Sequence, residues 1–197
     1  MMNKPESYIK ITDRCEMFNR HVMENYFPFI RHNNKKTISA LDIGCGPGNS
    51  THDVILPYIE QDVFEIIGID ISPSMIDYAS KNYGGNQITF KEVNVAEIVP
   101  EDFIERFDYI FSFCTLHWIQ DQRKLYSNAL KMLKPNGSLL VSYAATDTCD
   151  IFQKVYKTGK YADFISHFNY FPFQNTHNPK EVLFRILQDL LRSRRPC

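Results

Sequence analysis

Leu41-Asp42-Ile43-Gly44-Cys45-Gly46-Pro47-Gly48-Asn49-Ser50-Thr51 is the stretch on which the fold turns. Apolar residues Ile38, Ala40, Leu41 and Ile43 predict a buried strand over about 37–43. Three glycines at alternate positions follow, and then a helix start. Glycine permits the sharp turn and leaves no side chain between main chain and ligand. Asn49, Ser50 or Thr51 is expected to cap the next helix. The expectation is a floor of N–H groups at the carboxyl end of a strand, where open α/β sheets bind nucleotide-like ligands.

Working outward, residues 7–31 place Tyr8, Ile11, Cys15, Phe18, Val22, Tyr26 and Phe29 at spacings of three and four, which predicts an amphipathic helix. After the glycines a helix is expected over about 49–60, bent or shortened by Pro57. Phe64 to Ile71 reads as a buried strand ending on an acid. Ser72-Pro73 opens a helix, with Ser72 as its cap. Gln87–Val93 and the almost wholly apolar Phe107–Phe113 read as the third and fourth strands. Asp121–Leu133 reads as a helix, Lys134-Pro135-Asn136-Gly137 as a turn, and Ser138–Tyr143 as a fifth strand. Strand and helix thus alternate five times, which is the doubly wound α/β pattern with a mostly parallel sheet. The expected organisation is an N-terminal helical cap over 1–36, an α/β core over 37–146, and an aromatic-rich helical segment over 147–197. Within that last segment a helix is expected over about 179–192.

The chain has 197 residues, enough for one full core, and a net charge of −1 from 22 Lys and Arg against 23 Asp and Glu. That balance argues against nucleic acid, which needs a basic face. The run Arg192, Arg194, Arg195 reads as a solvated terminus. Five scattered cysteines show neither disulfide nor metal spacing, so no metal is expected and a reducing, cytoplasmic setting is. No apolar run is long enough to span a bilayer, and the opening residues Met1 to Arg14 lack the apolar core of a signal segment.

The spacing G-x-G-x-G differs from the dinucleotide fingerprint, and Asp42 in front of it would repel a pyrophosphate and attract an ammonium. S-adenosylmethionine, with a sulfonium, an α-ammonium and no phosphate, fits. Asp70, 22 residues beyond Gly48, can accept the ribose hydroxyls. Ile71 can lie on the adenine, and Asn94 and Val95 can read its edge. The alternatives are structural: Asp42 as a loop-ordering acid, Asp70 as a helix cap, and Asn94 as a turn former.

Four segments carry a resemblance: Leu41 to Gly48, Gly68-Ile69-Asp70-Ile71-Ser72-Pro73-Ser74-Met75, Phe107-Asp108-Tyr109-Ile110-Phe111-Ser112, and Leu133 to Gly137. In this order they resemble the successive motifs of class I S-adenosylmethionine-dependent methyltransferases over about residues 8–145. The resemblance implies a Rossmann-like fold and adds Ser112 to a cofactor set of Asp42, Gly44, Gly46, Gly48, Asp70, Ile71, Asn94 and Val95. Leu116-His117-Trp118-Ile119 resembles the branch that methylates carboxylates of small acids. The opening Tyr8-Ile9-Lys10 and the aromatic tail look most like the arthropod juvenile hormone acid group. There the Trp at this motif, here Trp118, holds the substrate carboxylate. Its partner is a Gln seven residues after the initial Tyr, a position occupied here by Cys15. His117 is a second candidate donor to the substrate. Asp108 is expected to order the start of its strand, and the aromatic segment 152–173 to line a pocket for a long apolar acid or simply to pack over the sheet.

That family's sheet has seven strands, the last two an antiparallel edge pair. Only five read here, so a shortened chain lacking those two is expected. The expected activity is O-methylation of a small, apolar carboxylic acid. The alternatives are a methyltransferase-like binding protein without catalysis and, against the glycine spacing, an NAD-linked oxidoreductase.

Overall fold

A computed structural model describes residues 4–10, 13–30, 37–59, 63–142 and 185–188. Two helices, α1 (Pro5–Ile9) and α2 (Asp13–Ile30), precede β1 (Ile38–Ile43). After the glycine loop a π-helical turn, Thr51–Ile55, runs into α3 (Leu56–Ile59). Then come β2 (Val63–Asp70), α4 (Pro73–Tyr83), β3 (Ile88–Glu92), β4 (Phe107–Phe113), α5 (Gln122–Met132) and β5 (Leu133–Ser142). The strands form one sheet in the order β3-β2-β1-β4-β5, every pair parallel. The chain order reverses between β1 and β4, so their carboxyl ends diverge and open a crevice.

β1 and β4 are buried along their whole length, as central parallel strands must be. Their side chains alternate between two cores. Leu41, Ile43 and Ile110 join Leu125, Ala129 and Met132 of α5 on one face. Ile38, Ala40, Tyr109 and Phe111 join Val22, Met23 and Phe27 of α2, with Val54 and Ile59, on the other. Phe27 meets the Tyr109 ring edge-on at 5.3 Å.

Asp108 is the buried polar exception within β4. It accepts the Ser39 N–H at 2.9 Å and the Lys134 ammonium at 2.9 Å. The acid and lysine of two separate sequence motifs thus make one staple between β1, β4 and β5. A second staple is the two-pronged pair of Arg106 on Glu65, at 2.8 and 2.7 Å.

Several expectations are corrected. The helix expected over 7–31 is two helices, and its buried face is rotated. Asn19, Val22, Met23 and Phe27 are buried, whereas Phe18, Tyr26 and Phe29 are exposed. The sequence carries apolar residues around most of this helix, and contact with the sheet selects which of them form the core. Pro57 acts one turn earlier than a simple bend: having no N–H to give, it leaves the preceding turn widened, and the Leu56 N–H bonds Thr51 O five residues back. Ser72 does not cap α4 by its side chain; its hydroxyl meets that of Ser74. The Lys134–Gly137 turn lies inside β5. Leu133 pairs with Phe107 and Ser138 with Tyr109, so the intervening residues bulge outward, with Asn136 at φ 65°. The aromatic segment 152–173 lies outside the described residues, as does the helix expected over 179–192 apart from the helical turn at 185–188. Among the described residues no helix is long and apolar enough to cross a membrane.

Candidate functional site

The carboxyl ends of β1, β2 and β4 bring Asp42, the glycine loop, Asp70 and Cys114 to one edge of the sheet. Gly44, Gly46 and Gly48 all take positive φ, at 76°, 54° and 88°. At Gly44 the need for glycine is also steric, since a Cβ would stand 2.1 Å from Thr115 Cγ2. Thr115 lies that close because its hydroxyl bridges the Gly44 and Phe113 carbonyls, each at 3.1 Å.

The loop is not the floor of free N–H groups that the sequence suggests. The Gly44 and Cys45 N–H groups donate to Ile69 O at 2.7 and 3.0 Å, and the Gly48 N–H donates to Cys45 O. The Gly46 N–H donates to Asp70 Oδ2 at 3.0 Å. The Gly44, Cys45 and Gly46 donors are spent on holding the loop to β2, and that of Gly48 on closing the loop on itself.

Beneath the loop Asp42 is 2 % exposed. Its carboxylate accepts the Thr51 hydroxyl at 2.7 Å, so Thr51 serves β1 rather than capping a helix. Burial pushes the Asp42 carboxyl up to about 7, the Thr51 bond opposes this, and Asp70 adds to it. No cation among the described residues compensates the charge. Asn49 and Ser50 do not cap either. The Asn49 amide donates to Glu16, and the Ser50 hydroxyl accepts from the Asn19 amide.

A small cleft lies over these groups. Asp42, Gly44 and Gly46 line its sheet side, and Tyr8, Cys15 and Asn19 line its helical side. Tyr8 lies over the loop, its Cε1 3.8 Å from where a Gly46 Cβ would be. Burial, and then the neighbouring Cys15, Cys114 and Asp70, push its hydroxyl up to about 12. Asn19 is 3 % exposed, and its Oδ1 finds no partner among the described residues. A buried carboxylate without a cation and an amide oxygen without a donor make a site for a positively charged N–H donor.

Asp70 sits at the rim. Its two oxygens accept the Gly46 and Ser72 N–H groups, and burial raises its carboxyl above the ordinary value. The structural and the ligand-binding readings of Asp70 are compatible, because a carboxylate offers about four lone-pair sites and these backbone donors do not fill them all. Ile71 beside it is half exposed. Gly48 backs the loop against Ala79 and Phe90.

The remaining candidates do not line this cleft. Ser112 is fully buried and donates its hydroxyl to Ile43 O at 2.8 Å. It staples β4 to β1, and it does not line the cleft. The Asn94 side chain accepts the Ala96 N–H, and its carbonyl accepts those of Glu97 and Ile98, the turn-forming alternative. The Val95 side chain is in the core, and its carbonyl accepts the Asn128 amide.

His117 and Trp118 occupy a 3₁₀ turn, Leu116–Trp118, after β4. Gln122 donates to the Leu116 and Ile119 carbonyls at 2.8 and 2.6 Å and holds that turn. Burial lowers His117 to about 4, which makes it neutral at physiological pH. Its ring lies 4.9 Å from that of Trp118, which is 38 % exposed. Neither residue lines the cleft in this structure.

The sequence reading missed Asn19 and Thr115 as parts of the site. The one available signal was a polar residue, Asn19, beside Val22 and Met23 on a helix face.

The methyltransferase domain family matches residues 34–183. The chain is 31% identical over 158 residues to the juvenile hormone acid O-methyltransferase of Drosophila melanogaster, covering 77% of this chain and 53% of that protein. It is 28% identical over 152 residues to the Bombyx mori enzyme of the same name, covering 76% and 54%. The chain spans about half the length of these curated relatives. Among solved structures, the Haemonchus contortus phosphoethanolamine N-methyltransferase 2 in complex with S-adenosyl-L-methionine superposes with a TM-score of 0.59 at 20% identity. That match covers 86% of this chain and 36% of the other, and it shows a common fold. The chain belongs to the methyltransferase domain family.

Proposed function

We propose that this protein binds S-adenosylmethionine and uses it to methylate the carboxylate of a small, apolar acid. The observation that carries the reading is Asp42, a buried carboxylate with no compensating cation among the described residues, facing a cleft at the point where the strand order reverses. An α-ammonium group supplies the missing positive charge and the donors that Asp42 and Asn19 Oδ1 lack. The spent N–H groups of the loop suit a ligand without phosphate.

In this reading Asp42 and Asn19 hold the amino-acid end, and the unobstructed backbone at Gly44 and Gly46 admits it. Asp70 takes the ribose hydroxyls on its remaining lone pairs. Ile71 lies against the adenine, with Asn94 and Val95 at its edge. S-adenosylmethionine, when bound, supplies an electrophilic methyl group on a sulfonium.

A carboxylate acceptor is ionised at neutral pH, so the protein needs no strong base. Neutral His117 accords with that, since it adds no positive charge to compete with the sulfonium for the acid. Trp118 donates its Nε1–H to aim the acceptor, and excluding water strengthens the attraction between anion and sulfonium. The likeness to two juvenile hormone acid O-methyltransferases supports a carboxylic acid as acceptor. Scattered thiols support a cytoplasmic location.

Cys15 stands where the resemblance implies a Gln and has no amide to offer, which favours a second reading: a binding protein without catalysis. Titration calorimetry with S-adenosylhomocysteine and NAD, followed by transfer of a radiolabelled methyl group to a panel of acids, tests both. The proposal expects S-adenosylhomocysteine to bind, NAD not to bind, and label to enter an apolar acid. Binding with no transfer to any acid selects the second reading, and NAD binding overturns both.

A further inference from the structure

Two thiols face each other across the cleft mouth. Cys15 lies in the first turn of α2 and Cys114 directly after β4; both are half-buried, both line the cleft, and both are free thiols. The two side chains lie within interaction range of each other. They come from parts of the chain far apart in sequence, so the contact belongs to the tertiary structure alone. Cys114 is held in an unusual conformation. Its φ is 54°, in the left-handed region that non-glycine residues seldom take. Its N–H is tied to Ser142 O at 2.7 Å. The adjoining Thr115 hydroxyl clamps the Gly44 and Phe113 carbonyls. The sheet side of the pair is therefore rigid, and the helical side is α2.

The cleft is bounded by Tyr8, Cys15 and Asn19 on one side and by the glycine loop, Phe113 and Cys114 on the other. Cys15 and Cys114 line opposite sides of the cleft that holds Asp42.

We propose that Cys15 and Cys114 form a redox-sensitive latch: oxidation joins them in a disulfide that pins α2 to the β4 loop and closes the cleft to the cofactor. The inference rests on the S-adenosylmethionine reading of that cleft. Hydrogen peroxide is the oxidant class. The Cys15 sulfur, near the end of its helix, attacks one peroxide oxygen, the O–O bond breaks, and water leaves with a Cys15 sulfenic acid in place. The Cys114 sulfur then attacks the Cys15 sulfur. The S–O bond breaks, the hydroxide takes the Cys114 proton and leaves as a second water, and an S–S bond remains. Two thiols have lost two electrons and one peroxide has gained them. A dithiol reductant reverses the step. Burial, with Cys15 adjacent, pushes the Cys114 thiol up to about 12, so its proton must pass to the departing hydroxide as its sulfur attacks.

The full chain, reduced or treated with peroxide, is mapped by non-reducing peptide mass spectrometry and titrated with S-adenosylhomocysteine. The expected result is one dominant cross-link, Cys15 to Cys114. Cofactor-site binding is lost in step with it and recovered with dithiothreitol. Cys15→Ser and Cys114→Ser are each expected to form no such cross-link and to keep under peroxide whatever affinity they have without it. Cross-links through other cysteines, no cross-link at all, or a complete Cys15–Cys114 bridge with unchanged affinity would each overturn the latch. Mapping on the unsubstituted protein decides the chemistry even where a serine variant folds poorly. Failure of the reduced protein to bind S-adenosylhomocysteine rejects the cofactor reading instead, independently of the cross-link.

Discussion

Replacing Asp42 by asparagine should move stability and ligand binding in opposite directions. In the folded, empty protein Asp42 keeps its proton up to a pH of about 7, whereas the unfolded chain releases it near the ordinary carboxyl value of about 4. Between these values the folded state binds more protons, so stability falls as pH rises through the window and the full cost is present above 7. Three units at about 1.4 kcal/mol each put that cost near ~4 kcal/mol. Asparagine has the same shape, keeps an oxygen for the Thr51 hydroxyl, and carries no charge. Its buried N–H groups bring a cost of their own, so ~4 kcal/mol is a ceiling on the gain, equivalent to roughly 8–16 °C in melting temperature for a chain of this size.

The gain should be present at pH 8 and vanish at pH 4. His117 runs the other way: lowered to about 4 by burial, it costs stability as pH falls from its ordinary value toward 4. It is present in both proteins, so the difference between them isolates Asp42. Thermal melts of wild type and Asp42→Asn from pH 4 to 8 measure this directly. Calorimetry should show the variant binding S-adenosylhomocysteine about 10- to 100-fold more weakly at pH 8, the size of a lost hydrogen bond to a charged group. Wild-type affinity should fall below pH 7 as ligand must displace a proton, and the variant should lose that dependence. A variant no more stable than wild type at pH 8 refutes the account of a costly buried charge. Undiminished affinity at pH 8 refutes the ammonium site.

Ser112→Ala removes the bond to Ile43 O and should lower stability by about 1 kcal/mol in denaturant unfolding, with S-adenosylhomocysteine affinity unchanged; weakened binding would restore Ser112 to the cofactor site. Gly44→Ala drives a methyl group into the stiff Thr115 side chain on top of a left-handed φ and should cost about 3 kcal/mol or more. Gly46→Ala meets nothing nearer than Tyr8 at 3.8 Å and should cost only about 1–2 kcal/mol while weakening ligand binding more than its stability loss explains. Trp118→Phe removes the indole donor from a half-exposed turn. It should lower kcat/KM for the acid about 10- to 100-fold, with melting temperature and S-adenosylhomocysteine affinity unchanged; loss of affinity would place Trp118 at the cofactor instead.

Wherever the sequence spoke through local rules it was legible. Alternating apolar residues, the glycine triplet and an acid at the end of β2 mark the parallel α/β sheet, because strand periodicity and left-handed turns are properties of short segments. Asp42 and Asp70 were identifiable for the same reason: each ends a strand beside a glycine or a helix start, where a structural acid and a ligand-binding acid look alike. The burial of Asp42, which sets its protonation, was not legible, because it depends on how the helices cover β1. The buried face of α2 was misread since its apolar residues surround the helix, and contact with the sheet selects Val22, Met23 and Phe27. Asn49, Ser50 and Thr51 look like caps in sequence, yet their side chains reach Glu16, Asn19 and Asp42 in other elements. Ser112 carried a motif's promise and became a staple. The sequence by itself determined the strand order's raw material and the loop that interrupts it; packing decided which donors are spent, which charge is buried, and that Cys15 and Cys114 meet. Those are long-range outcomes, set by what each residue touches after the sheet has closed.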